Sequence, residues 1–267
     1  MKSDMEATGG VPLEQIVTWL DDILQTESTP DYPGALNGLQ LANRGTIGKV
    51  AAAVDFSTRS VKAAIEENAN LLIVHHGMFW AGAQPVVGQR YSRLIELVEA
   101  DVAVYSSHLP LDRHPQLGNN VLLAKTLGLE PSAEFARFKN IFIGVQGTAD
   151  ISTQALVDQA RAFSRSYGGD TIATVANDED RVTRRWAICT GAGASAETLD
   201  EASRDGIDTL IVGEGPHWTA VDAADRGLAI IYVGHYASET LGVSALAAEV
   251  ARQFDVPWIG ISAPTGL

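Results

Sequence analysis

Short apolar runs recur along this chain at Val50–Val54, Leu71–Val74, Val102–Tyr105, Ile141–Val145, Ala187–Cys189, Thr209–Val212 and Ala229–Val233. Stretches with helical spacing of apolar residues lie between most of them, as at Thr58–Glu67, Ser92–Glu99, Ala194–Arg204 and Ser238–Arg252. A strand apolar at every position is buried on both faces, and helices packed on each side of a parallel or mixed sheet supply that burial. The alternation therefore predicts an α/β fold. In such sheets ligands collect just beyond the carboxyl ends of the strands, so the chemistry is expected there. Upstream, Val11–Gln25 reads as an amphipathic helix and Thr29–Gly48, with Pro30, Pro33, Gly34, Asn37-Gly38 and Gly45, as a long loop. Residues 1–10 are small and polar and are expected to be disordered.

The pattern repeats. Ser57–Trp80 aligns without a gap on Ser195–Trp218, with identities at Ser57/Ser195, Ala64/Ala202, Leu72/Leu210, Ile73/Ile211, Val74/Val212, Gly77/Gly215 and Trp80/Trp218. Further on, Tyr105-Ser-Ser-His108 precedes Asp112 as Tyr232-Val-Gly-His235 precedes Glu239. General likeness of βα units accounts for the apolar matches, but less well for a paired histidine and acid. The expectation is two related α/β halves, 1–128 and 129–267, facing each other across a site.

Composition narrows the partners. A formal net charge of −14 repels phosphate backbones and anionic lipid, so neither nucleic acid nor a membrane surface is an expected partner. The one cysteine, Cys189, lies in an apolar strand and reads as core. Thiolate-rich metal sites are thereby excluded. No apolar stretch approaches the roughly 20 residues that cross a bilayer, and Met1–Gly10 has no signal-peptide core; a cytoplasmic protein is the expectation. There is no P-loop and no Gly-x-Ser-x-Gly elbow, and Gly191-Ala-Gly193 reads as a tight βα turn.

Four of the six histidines stand at strand ends: His75 and His76, His108, and His235. Imidazole and carboxylate are the donors that zinc, iron and manganese take when thiolates are absent. Neighbouring histidines on a regular strand face opposite ways; beyond the strand end the backbone can turn and let each address its own ion. Two ions about 3.5–4 Å apart need a bridging group and terminal ligands, roles open to Glu239, Asp112 and His235. Pro110 favours a loop for His108–Asp112, and Ser238 reads as a helix N-cap that places Glu239 in a first turn. Taken singly, each residue also has an ordinary reading: a hydrogen-bonded core histidine, a turn aspartate, a helix N-terminal charge. Glu214 is either a polar turn residue or a base or substrate contact. His114, in Arg-His-Pro-Gln, reads as a solvated loop residue, and His217 occupies the turn equivalent to the histidine pair.

Asn37-Gly-Leu-Gln40, Val74-His-His-Gly-Met-Phe-Trp80, Ser107-His-Leu-Pro-Leu-Asp112 and Gly234-His-Tyr-Ala-Ser-Glu239 together resemble the successive motifs of the GTP cyclohydrolase I type 2 homologues, the NIF-three-like proteins. The resemblance runs from about residue 12 to 260. It implies two α/β domains with a dinuclear metal centre in the cleft, a ring-shaped homohexamer, and the short form without an inserted domain. By position it implies His75, His76, Asp112, His235 and Glu239 as metal ligands, with His108 close by, either supporting a ligand or acting as an acid–base residue. Tyr236 stands where some relatives carry a histidine.

Two functions follow as expectations. One is a hydrolase in which two divalent ions (zinc, iron or manganese) activate water against a small substrate, with GTP, opened at C8 with loss of formate, as the candidate; His108 or Glu214 would move the proton. The other is a metal-binding regulatory or interaction protein without turnover, favoured by a closed ligand shell.

Overall fold

The computed structural model describes residues 10–174 and 180–267; the disorder expected for residues 1–10 falls, but for Gly10, outside them. In chain order the elements begin with β1 (Val11–Pro12), α1 (Leu13–Leu24), β2 (Gly38–Leu41), β3 (Thr46–Ile47), β4 (Val50–Asp55), α2 (Thr58–Glu66) and β5 (Leu71–His76). Next come α3 (Gln89–Glu99), β6 (Ala103–Ser106), α4 (Leu109–Asp112), α5 (Asn119–Thr126), β7 (Ala133–Phe138), β8 (Ile141–Ser152) and α6 (Thr153–Ser166). The remainder comprises β9 (Ile172–Ala173), β10 (Val182–Cys189), α7 (Ala196–Arg204), β11 (Thr209–Val212), α8 (His217–Asp225), β12 (Ala229–Tyr232), α9 (His235–Phe254) and β13 (Trp258–Gly260).

The chain forms two compact units. Among the described residues, unit 1 comprises 10–27, Tyr32–Ser107 and Leu246–Ile261. Its sheet runs β13-β4-β5-β6-β2, parallel except for β2, which is antiparallel to β6. Every apolar residue of β4 and β5 is buried, as the continuous apolar runs require. On one face Ala51, Ala53, Leu72, Val74 and Val104 pack with Val61 and Ala64 of α2 and Leu97 of α3. Trp19 of α1 meets Phe254 of α9 edge to face, 5.5 Å between ring centroids. The stretch read as a loop, Thr29–Gly48, contains β2 and β3.

Unit 2 comprises the described residues of Ser28–Asp31, His108–Ala245 and Ser262–Leu267. Its sheet runs β7-β8-β10-β11-β12-β9, with β10, β11 and β12 parallel and the others antiparallel to their neighbours. Side-chain alternation sorts the strand residues into two cores. Trp186, Ile188, Ile211 and Ile231 pack with Leu123 and Ala124 of α5 and Leu156, Val157 and Ala160 of α6. Ala187, Cys189, Leu210, Val212 and Ile230 pack with Leu199 and Ala202 of α7 and Ala223 of α8. Cys189 is the core residue expected.

Three sequence expectations need correction. The expected division near residue 128 meets a unit boundary at Ser107/His108, because Leu123, Ala124 and Leu127 complete a core with Leu156 and Trp186. The His108–Asp112 segment is a helical turn, not a loop: Pro110 sits in the first turn of α4, where a missing N–H costs no hydrogen bond. Ser238 is not an N-cap; α9 starts at His235, and the Ser238 hydroxyl donates to the His235 carbonyl at 2.9 Å.

Candidate metal-binding residues

In unit 1 the histidine pair forms the last two residues of β5, and His76 is still in register with Asp55 of β4. The turn expected to let both rings face a ligand is not needed: the ring centroids lie 4.8 Å apart, tilted by 55°. The chain turns immediately afterwards at Gly77, where a Cβ would collide with the Gln40 amide and the Ser106 hydroxyl. Gln40 explains why the Asn-Gly-Leu-Gln and His-His-Gly motifs occur together. Its Oε1 accepts from the Met78 N–H at 2.6 Å and its Nε2 donates to the Leu36 carbonyl at 2.8 Å. Trp80 closes over His76, 5.0 Å between ring centroids.

Each ring is held through Nδ1. His75, fully buried, lies 2.8 Å from the Ser107 carbonyl, and His76 lies 2.9 Å from Asp55 Oδ1. A carbonyl oxygen can only accept, so His75 Nδ1 carries the proton; an ionised carboxylate imposes the same on His76. In the neutral imidazole this leaves the Nε2 lone pair for a ligand. Metal-ligating histidines are oriented in this way.

Unit 2 repeats the device. His108, just before α4, places Nδ1 2.9 Å from Asp31 Oδ1, while Asp31 Oδ2 accepts from the Leu109 N–H at 2.9 Å. Both side chains are buried, at 9% and 6% exposure. The Asp31 backbone is fixed in turn by Lys139 Nζ, which donates to its carbonyl at 2.8 Å. His235, the first residue of α9, places Nδ1 2.8 Å from Glu214 Oε1 and Nε2 3.1 Å from Glu239 Oε2. The His-x-x-x-Glu spacing thus converges over one helical turn. Glu239 is buried, and Gly191 makes room for it: a Cβ there would strike Glu239 Oε1. Gly191 also takes a left-handed φ of 62°, which glycine adopts without strain.

Asp112, also buried, accepts from Asn119 Nδ2 at 2.8 Å, and Asn119 Oδ1 accepts from the Gly242 N–H of α9 at 2.7 Å. Burial alone would draw His235 down, but hydrogen bonding and charge from Glu239, then Glu214, outweigh it and push it up to about 9. Burial, and then the carboxylates of Asp112, Glu201 and Glu239, push the Cys189 thiol up, so it is neither nucleophile nor ligand at neutral pH.

Within unit 1 the structure brings His75 and His76 together; within unit 2 it joins His235, Glu239 and Glu214, and ties Asp112 and His108 to their own partners. Sequence reading did not single out Asp31, Asp55 or Asn119. Asp55 carried one signal, an acid at the end of a strand. Asp31 carried none, being a loop residue 77 positions from its partner. The other two histidines play local parts. His114 is half-buried rather than solvated, and its Nδ1 accepts from the Gln116 and Leu117 N–H groups. His217 opens α8 and is exposed. Tyr236 is buried and its hydroxyl accepts from the Ala263 N–H at 2.8 Å.

The fold and these residues define a mixed α/β protein with imidazoles and carboxylates at its strand ends. Residues 11–265 match the sequence profile of the Duf34/NIF3 (NGG1p interacting factor 3) family, and the chain belongs to that family. It is 35% identical over 267 residues to the GTP cyclohydrolase 1 type 2 homolog of Deinococcus radiodurans, covering 99% of this chain and 98% of that protein. It is 38% identical over 254 residues to the homolog of the same name from Pyrococcus abyssi, covering 95% and 99%. Among solved structures it is similar to protein ybgI, described as of unknown function (TM-score 0.85, 31% identity, 96% of this chain and 100% of that one). It is also similar to a protein of Thermus thermophilus (TM-score 0.83, 31% identity, 96% and 100%). Among the described residues no helix is long and apolar enough to cross a membrane.

Proposed function

We propose that this protein holds two divalent cations through His75, His76, Asp112, His235 and Glu239 and hydrolyses a small substrate, with GTP the first compound to test. The observation that carries this reading is the set of four strand-end imidazoles, each tied through Nδ1 to an oxygen acceptor, which leaves Nε2 of His75, His76 and His235 as ligand atom and Nε2 of His108 for proton transfer. The donors are nitrogen and oxygen only, which suits zinc, iron or manganese. When bound, such ions lower the pKa of water and polarise a substrate oxygen; their charge also offsets the −14 of the chain where an anionic substrate would approach.

The protein's own part is orientation and proton transfer. Glu214 and Asp55 fix their histidines' tautomers. His108, braced by Asp31 and Leu109, is the acid–base residue, taking or giving a proton at Nε2. In this reading Glu214 positions His235 rather than shuttling protons itself. The name shared by the relatives supports a nucleotide as substrate. The proposal also includes a cytoplasmic location and the ring-shaped hexamer expected for such chains.

Elemental analysis of the purified full chain, followed by a formate-release assay on GTP with and without His76→Ala, tests the reading. Two bound ions and formate release lost in the variant support it. A metal-loaded protein inert on a nucleotide panel makes the chain a metal-binding interaction protein instead.

A further inference from the structure

Unit 2 contains a pocket of roughly 330 Å³ at the carboxyl ends of β11 and β12, where ligands bind in sheets of this kind. Its volume is at the lower end of small-molecule sites. Pro216, Ala220 and Tyr232 supply apolar wall; Glu214, His217 and Asp170 supply the polar groups, and among the described residues no lysine or arginine lines it. The charged acceptors are thus carboxylates; Asp170 is already engaged by Arg165 at 3.4 Å and Arg161 at 3.8 Å, which leaves Glu214 as the acceptor open to a ligand. Desolvation pushes the Tyr232 hydroxyl up, and it is paired with Thr219 Oγ1 at 2.8 Å, so that ring is a neutral, fixed wall. Glu214 joins the pocket to the candidate metal residues: the carboxylate that lines it also holds His235 Nδ1. A carboxylate has about four acceptor sites, and that contact uses one.

We propose that this pocket is a substrate subsite for a flat, uncharged nitrogen heterocycle that presents N–H donors along one edge to Glu214. A purine nucleoside whose pairing edge carries a ring N–H and an amino group fits this description; phosphate groups belong outside the pocket. As a subsite for the substrate, the assignment rests on the proposed hydrolase reading and deepens it. Recognition of the ring itself needs no metal, which separates the two in experiment.

Calorimetric titration of the full-length protein, metal-free and metal-loaded, with guanosine, inosine, adenosine and tripolyphosphate tests the assignment. Guanosine, with two kinds of edge donor, is expected to bind the metal-free protein at least tenfold more tightly than adenosine, with inosine between them. Ala220→Phe, which fills the pocket from α8, should lower guanosine affinity at least tenfold while leaving metal content and melting temperature unchanged. If Ala220→Phe perturbs the fold, Ala220→Val gives a smaller loss in the same direction. Guanosine failing to bind at millimolar concentration, binding equally with adenosine, or binding undiminished in both variants would overturn the assignment. So would tripolyphosphate displacing guanosine from the metal-free protein. Guanosine binding to a protein that takes up no metal would leave the pocket standing and remove the hydrolase reading.

Discussion

The two units use one local plan and end it differently. In unit 1, β4-α2-β5-α3-β6 forms a parallel core flanked by antiparallel β2; in unit 2, β10-α7-β11-α8-β12 does the same beside antiparallel β9. The first helix of each opens with a serine in a reciprocal cap, Ser57 with Ser60 and Ser195 with Thr198. At the end of the middle strand the plan diverges. Unit 1 ends β5 in His75-His76, and unit 2 follows β11 with Gly213-Glu214. After the third strand, unit 1 reaches Ser107, whose carbonyl holds His75, and unit 2 enters α9 with His235 and Glu239. A shared scaffold thus presents imidazole from one unit and an acid-flanked imidazole from the other. Packing preserves the scaffold, and the few residues past each strand end are left to set the chemistry.

The strongest way to break this comparison is to remove its divergent residues. His76→Ala and Glu239→Ala should each reduce affinity for divalent cations by more than about 100-fold, exceeding what loss of an orienting partner costs; competition with a chromophoric chelator measures it. The orienting carboxylates come next. Asp55→Asn and Glu214→Gln should each lower metal affinity by about 10–100-fold with little change in melting temperature, because both carboxylates are partly exposed. Asp31→Ala should behave differently, since it strips buried acceptors from His108 and the Leu109 N–H. A loss of about 2 kcal/mol in denaturant unfolding is expected.

The acid-flanked imidazole also predicts a pH dependence specific to unit 2. The folded value of His235, about 9, lies above its ordinary 6.5. Its contribution to stability is therefore complete below about 6.5 and is lost as pH rises through about 9. Metal-free protein should melt at a lower temperature at about pH 10 than at about pH 6, and His235→Gln should flatten that difference. The smallest effect tests what the units share: Ser57→Ala and Ser195→Ala should each cost about 1 kcal/mol, and a large disparity between them would show that the caps are not equivalent.

Much of the scaffold is legible in the sequence because strands buried on both faces are uninterrupted apolar runs. β11 has the limits its run predicts, and β4 and β5 exceed theirs only by polar end residues. Legibility falls where one face is wet. β8 runs on to Ser152 through Gln146, Thr148 and Asp150, an alternation of half-buried and exposed positions that hides a twelve-residue strand behind polar letters. α5 escaped for a different reason. It is buried along most of its length, with Asn119 and Asn120 inside, so it lacks an amphipathic stripe. The candidate ligands were legible as histidines and acids after strands. Their orienting partners were not, because Asp31 and Asn119 become meaningful only when distant segments pack beside them.

Metal binding by these oriented imidazoles and acids is decided by a crystal of the protein grown with zinc or manganese and measured at the metal's absorption edge. The account predicts two anomalous peaks, contacted between them by Nε2 of His75, His76 and His235 and by the carboxylates of Asp112 and Glu239. Absence of anomalous density at these residues from metal-saturated protein would contradict it.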